Sequence, residues 1–347
     1  MAWPLCFVAS SPWRAAGHGV IQCKNFNFAH KFHSVQIHTD INNFDVGHPV
    51  ATMGMFDGVH NGHRHLISEL IRLSAAEHGQ STVITFWPHP KSVISSVDDL
   101  RFLTTQDEKT VLIASLGVEH LVVIPFDREL SRHTPSQFME QVLADRMGVR
   151  TLLVGFNHRF GAGPHPDDQS LKASAAACGI SIVRATPWAD GQVECSSSVI
   201  RNLLCQGDIG RANALLGRRY SLCGMVEHGR GIGRTLGFPT ANVRPDSAGK
   251  LLPGAGVYAC FATVAGRTYD TMLNIGTCPT FAPNQPLTVE AHLIDCGENL
   301  YGKPIRIELA GRIRDERRFD HADQLVQQLR ADRTAVRALL RECAKND

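Results

Sequence analysis

Between about residues 47 and 186 the chain alternates short apolar runs with amphipathic stretches. Pro49 to Thr52 is a brief apolar segment, and Ser81 to Phe86, His120 to Phe126, Arg150 to Phe156 and Ile180 to Ala185 read as further strands. Leu66, Ile67, Leu70 and Ile71 fall on one helical face between the first two, and Phe138, Val142, Leu143 and Met147 line a later helix. Thr134-Pro135-Ser136-Gln137 opens that later helix with an N-cap, a proline at the first helical position and a glutamine that closes a capping box. Strands alternating with helices predict a doubly wound parallel sheet covered on both faces. Ligands of such sheets collect at the carboxyl ends of the strands.

The pattern changes after Gly217. Tyr220 to Glu227, Val257 to Val264, Arg267 to Ile275, Leu287 to Ile294 and Ile305 to Leu309 are β-rich, and Ala265-Gly266 joins two of them as a tight hairpin. Successive strands without helices between them predict an antiparallel barrel or sandwich. Ala322, Leu325, Val326 and Leu329 then mark a terminal helix that buries one stripe against it. The expected division is an N-terminal extension over 1–44, an α/β domain over 45–217 and an all-β domain with its helix over 218–347.

A length of 347 residues accommodates two domains, and 43% hydrophobic residues supply a core for each. The net charge of +2 gives no broad electrostatic case for a nucleic-acid or membrane partner, and no apolar run approaches the roughly 20 residues of a membrane-spanning helix. Ten cysteines lack any C-x-x-C pair, so free thiols in a reducing, cytoplasmic setting are expected. Trp3 to Ala9 is apolar but has no basic segment before it, which argues for a disordered extension over a signal peptide.

The candidate chemistry begins at Met53-Gly54-Met55-Phe56-Asp57-Gly58-Val59-His60-Asn61-Gly62-His63. Two histidines three apart sit where a strand turns into a helix, and a helix start offers unpaired N–H groups and a positive dipole end to a polyphosphate. Gly54, Gly58 and Gly62 allow close backbone approach. His60 and His63 can then donate to oxygens on which charge builds. Ser196-Ser197-Ser198-Val199-Ile200-Arg201 is a second polar helix start with a guanidinium one turn in. Pro88-His89-Pro90 and Asn157 also fall just after predicted strands, as one shared site requires.

These motifs resemble the adenylyltransferase half of the bifunctional bacterial flavokinase/FAD synthetase family. Thr85-Phe86-Trp87-Pro88-His89-Pro90 looks like its T-F-x-P-H-P segment, and Ser196 to Arg201 resembles its S-S-T-x-x-R motif with Ser198 in the threonine position. Gly155 to Gly161 looks like its G-x-D-F-x-F-G segment with two departures, Asn157 for the acid and His158 for an aromatic; Met55 replaces a common asparagine. These departures motivate a rival reading, a working kinase with a weak adenylyltransferase half. The resemblance implies that Gly54, Phe56, Asp57, Gly58, His89, Asn157, Ser197 and Ser198 bind ATP or its phosphates, and that His60, His63 and Arg201 neutralise charge as an FMN phosphate attacks ATP.

The second half carries a glycine-rich loop, Gly229-Arg230-Gly231-Ile232-Gly233-Arg234, that ends in Pro239-Thr240-Ala241-Asn242. Consecutive accessible N–H groups suit phosphates. Thr240 and Asn242 alternate along an extended segment, so both point to one side and could share Mg²⁺. Glu290, His292 and Ile294 share a strand face, where a carboxylate suits a general base for a primary alcohol. This region resembles the flavokinase module of the same family, which implies an antiparallel β-barrel with a terminal helix. That likeness implies Glu290 as the base for the ribityl hydroxyl, Gly229, Gly231 and Gly233 on ATP phosphates, and Thr240 and Asn242 on Mg²⁺, with Asn274 and Arg314 at the flavin. The implied partners are small molecules (riboflavin, FMN and ATP), with a homo-oligomer as a possible assembly.

Overall fold

A computed structural model describes residues 35–94, 101–155, 168–188, 195–229, 232–276 and 287–346. Its first half is a six-stranded sheet of β1 (Gln36–His38), β2 (Pro49–Met53), β3 (Gln80–Trp87), β4 (His120–Pro125), β5 (Thr151–Val154) and β6 (Ser181–Arg184). All pairings are parallel, in the order β1-β4-β3-β2-β5-β6. The chain winds outward from β2 to β3 and β4 on one side and to β5 and β6 on the other. The switch in direction therefore lies beside β2, whose carboxyl end leads into the histidine motif.

Alternation along the strands divides the core in two. Val50, Val83, Leu121 and Leu153 face one side, where Leu66, Ile67 and Leu70 of α1 (Asn61–Ala76) cover them. Ala51, Ile84, Val122 and Leu152 face the other, against Phe138, Val142 and Leu171. Short α2 (Pro90–Ile94) and then α3 (Gln106–Ala114) follow β3. On the opposite face α4 (Pro135–Phe138) has the expected capping box and continues as a π-helical stretch over Met139–Ala144, with α5 (Asp168–Ala177) beside it.

One expectation needs correction: residues 35–44 are not part of an extension. Gln36, Ile37 and His38 pair with His120, Leu121 and Val122, and Ile41 and Phe44 are buried in the sheet's core. Three residues are too few for a period-2 pattern to register. Residues 1–34 lie outside the described residues.

Two helices, α6 (Ser197–Gln206) and α7 (Ile209–Leu216), lead into the second half. There β7 (Tyr220–Glu227), β8 (Ala241–Pro245), β9 (Gly256–Val264), β10 (Arg267–Gly276), β11 (Thr288–Leu293) and β12 (Pro304–Arg314) close into an antiparallel barrel, with α8 (Ile232–Thr235) in the β7–β8 loop. Closure bears out the β-barrel expected from the flavokinase resemblance and excludes the sandwich that the strand pattern alone left open. Leu222, Val243, Cys260, Leu273, Ala291 and Ile307 are buried in one cluster with Leu203 of α6 and Leu216 of α7. Ala259 and Met272 point the other way, against Val336 and Leu340 of α9 (Ala322–Asn346).

Candidate active sites

The first site is built on two facing helix starts. His60 is the N-cap of α1, its Nδ1 accepting from the His63 N–H at 3.4 Å, and Ser196 caps α6 through Val199 N. The two starts lie close together: a methyl on Gly62 would be in ordinary contact, at 3.6 Å, with the Cys195 carbonyl oxygen. The turn before α1 is wound by positive φ at Phe56, Gly58 and Val59, and a side chain on Gly58 would collide with Leu103. Phe56 is 1% exposed, with its ring edge-on to His63 at 5.1 Å. It backs the histidine and sends no side chain toward phosphate.

The imidazoles of His60 and His63 stack with centroids 3.6 Å apart. Burial lowers His60 to about 4 against the opposing pull of Asp57, with Arg218 and Arg201 adding to the fall. Burial, His60, Lys109 and Arg218 hold His63 well below the usual histidine range. Both are therefore neutral N–H donors at neutral pH. His63 Nδ1 is buried without a hydrogen-bond partner, a group kept ready for an oxygen atom.

Asp57, expected on a phosphate, is placed differently. Its carboxylate accepts from Leu103 N (3.2 Å), Thr104 N (3.0 Å) and Thr104 Oγ1 (3.2 Å), and pairs with Arg201 Nη2 at 2.6 Å. A buried anion so saturated organises the loop and aims Arg201; it does not meet another anion. Ser197 Oγ donates to the Asp57 carbonyl at 2.8 Å, while Ser198 is exposed at the first turn of α6. His89 is 8% exposed, its Nδ1 accepting from Lys91 N at 3.1 Å, and burial lowers it to about 4. Asn157 lies outside the described residues, as does His158.

Beside His89 opens a cleft lined by Met55, Asp57, Trp87, Phe102, Thr104, Gln106 and Lys109. Sequence reasoning missed three of these polar groups. Lys109 Nζ donates to Met55 O and Thr85 Oγ1, both at 3.2 Å, and burial lowers it to about 8. Both amide atoms of Gln106 are buried without partners. The third, Thr104, closes the loop through Gly58 N at 3.0 Å. Met55 contributes its backbone carbonyl, a role indifferent to its side chain.

The second site lies on the outer face of the barrel. Asn274 of β10 is paired with Glu290 of β11, and Glu290 with Asn242 of β8, so three candidates stand in one cross-strand row. Two glycines of the loop pack on β8 and the segment before it: a side chain at Gly229 would strike Asn242, and a methyl on Gly233 would collide with Phe238 O and lie 3.2 Å from Thr240 Oγ1. Gly231 lies outside the described residues. Nearby, His292 is 5% exposed, with Nδ1 held by Pro239 O at 2.8 Å and Nε2 buried without a partner. Arg314, expected at the flavin, is instead committed to packing. Its Nε and Nη2 bind the Asp332 carboxylate of α9 at 2.8–3.0 Å, and Nη1 donates to Asp315 O.

Two family profiles cover this architecture in order, FAD synthetase over residues 45–199 and riboflavin kinase over 216–340. The bifunctional riboflavin kinase/FMN adenylyltransferase of Bacillus subtilis (strain 168) is 36% identical over 294 residues, 82% of this chain and 90% of its own. The chain belongs to the bifunctional riboflavin kinase/FMN adenylyltransferase family. The member from Escherichia coli (strain K12) is 34% identical over 289 residues, covering 83% of this chain and 91% of that one. A crystal structure from Streptococcus pneumoniae, named as a macrolide-efflux protein, superposes with a TM-score of 0.77 at 26% identity, over 87% of this chain and 98% of the other. Among the described residues of the present family member, no helix is long and apolar enough to cross a membrane.

Proposed function

We propose that the two sites divide the two reactions of the family between them. The enzyme phosphorylates riboflavin to FMN and adenylylates FMN to FAD, with ATP as the donor in both. The barrel, from about residue 218 onward, is assigned the first step. Its cross-strand row supports this, because Glu290 stands between Asn242 and Asn274 on a face that the glycine loop folds over. Glu290 takes the proton of the ribityl hydroxyl as that oxygen attacks the terminal phosphorus of ATP, and ADP leaves. Thr240 and Asn242 offer hard oxygen donors, and their side chains fit Mg²⁺ better than a soft metal. Bound with the nucleotide, that ion would neutralise phosphate charge.

The α/β half is assigned the second step. The observation that carries it is the pair of facing helix starts furnished with two neutral, stacked imidazoles and the guanidinium of Arg201. An FMN phosphate oxygen attacks the α-phosphorus of ATP, and the α–β bridging oxygen departs with pyrophosphate. His60 and His63 donate N–H groups to the developing charge while Arg201 neutralises it. The seven cysteines among the described residues are free thiols, which supports a reducing cytoplasmic location.

Incubation with riboflavin, ATP and Mg²⁺, followed by separation of flavins over time, tests the assignment. Wild type should form FMN and then FAD. His63→Ala should stop at FMN, and Glu290→Gln should form FAD only from added FMN. Loss of both steps in either variant would defeat the division of labour.

A further inference from the structure

We infer that Lys250, a residue of the barrel, is a positioning residue for adenylyl transfer. It lies in the connection between β8 and β9, and its Nζ donates to Leu103 O at 2.8 Å and to Glu108 Oε2 at 2.6 Å. The two side chains are 3% and 17% exposed, so the pair sits where charge attraction is strong and geometry is strictly held. Backbone bonds flank it on both sides: Phe102 N donates to Gly249 O at 2.7 Å, and Leu251 N to Phe102 O at 2.8 Å. Phe102 and Lys250 thus form a parallel bridge between the halves.

The opposite edge of this same short segment builds the adenylyl-transfer site. Leu103 N and Thr104 N hold the Asp57 carboxylate, which holds Arg201. Phe102 and Thr104 also form part of the cleft wall. Glu108 in turn closes the capping box of α3 through Thr105 N at 2.9 Å, and α3 carries Gln106 and Lys109 to the cleft. Leu103 itself is fully buried in the cluster shared with the barrel. One wall of the first site therefore takes its position from the second domain, and Lys250 is the charged group at that junction. Nothing places Lys250 in the kinase row of Asn242, Glu290 and Asn274.

The inference rests on the reading that the α/β site transfers the adenylyl group. Full-length Lys250→Met, Glu108→Gln and the double variant are assayed for both reactions, with His63→Ala alongside. Each single variant should raise KM for ATP or for FMN in adenylyl transfer by about tenfold or more, with a smaller change in kcat, because the wall is displaced while the histidines stay in place. Riboflavin phosphorylation should stay within about twofold of wild type, and the double variant should be little worse than either single one. Unchanged adenylyl transfer, or equal loss of both reactions with a lower Tm, would overturn the positioning role. Glu108→Gln is nearly isosteric and keeps the test available if Lys250→Met fails to fold. Should His63→Ala leave adenylyl transfer intact, the assignment of the site itself has failed.

Discussion

His60 and Lys109 are ionisable groups that burial has moved toward their uncharged forms, and each has a pH signature. His60 titrates near 4 in the folded chain but near the ordinary histidine value when unfolded. Between those values the unfolded chain binds the extra proton, so acid favours unfolding and the associated stability is complete only above about pH 6.5. The loss attributable to His60 should be roughly 2 kcal/mol at pH 5 relative to pH 7. Urea unfolding at the two pH values measures the summed loss, to which buried His63 and His89 contribute in the same sense, and His60→Gln should remove only the share of His60. Lys109 loses its proton near 8 and stands in the cleft beside His89. KM for the anionic substrates of adenylyl transfer, ATP and FMN, should therefore rise above about pH 8, while KM for uncharged riboflavin in the kinase reaction should not. A flat KM profile between pH 7 and 9 would show that Lys109 does not meet the substrate's charge.

At the scale of elements, the terminal helix shows how a motif residue can serve packing. Arg314 ends β12 and Asp332 lies on α9, with Gln328 Nε2 adding a bond to the same carboxylate at 2.8 Å. Asp332 is 2% exposed, so removing its partner leaves a buried charge. Arg314→Met should cost about 3–5 kcal/mol, while Arg314→Met with Asp332→Leu should cost less than that single change. Chemical denaturation decides it; a lost flavin affinity with unchanged stability would return Arg314 to the flavin site. The run around Arg314 displayed charge but not its partner, which lies 18 positions away on another element. Strands and helix starts were legible for the opposite reason. Alternation, caps and the H-x-G-H turn are local in sequence, and so His60, His63 and the Ser196 cap stand where the pattern put them. The barrel's closure was not local, because it depends on β9 pairing with both β10 and β12.

At the scale of the molecule, the halves are joined through the adenylyl-transfer loop itself. Arg218 Nη2 donates to Gly58 O at 2.7 Å and Lys250 to Leu103 O across 147 positions, while Asn61 Nδ2 donates to Ala214 O of the connecting helix α7 at 2.9 Å. None of these contacts was visible in the sequence, since no local pattern marks a side chain whose partner lies far along the chain. Their joint effect is on cooperativity. Opening the seam would strip the Gly58 and Leu103 carbonyls of these partners and expose Leu103, Ile200, Leu204 and Leu216, which are buried in one cluster with the barrel's inner residues. Such a shared core links the unfolding of the two halves, as in a single cooperative unit. Riboflavin phosphorylation and FMN adenylylation should therefore disappear at the same urea concentration in the full chain. Weakening the junction with Lys250→Met should separate the curves, with adenylylation lost first. Well-separated curves in the wild type would mean that the seam adds little to folding, whatever it contributes to the geometry of the site.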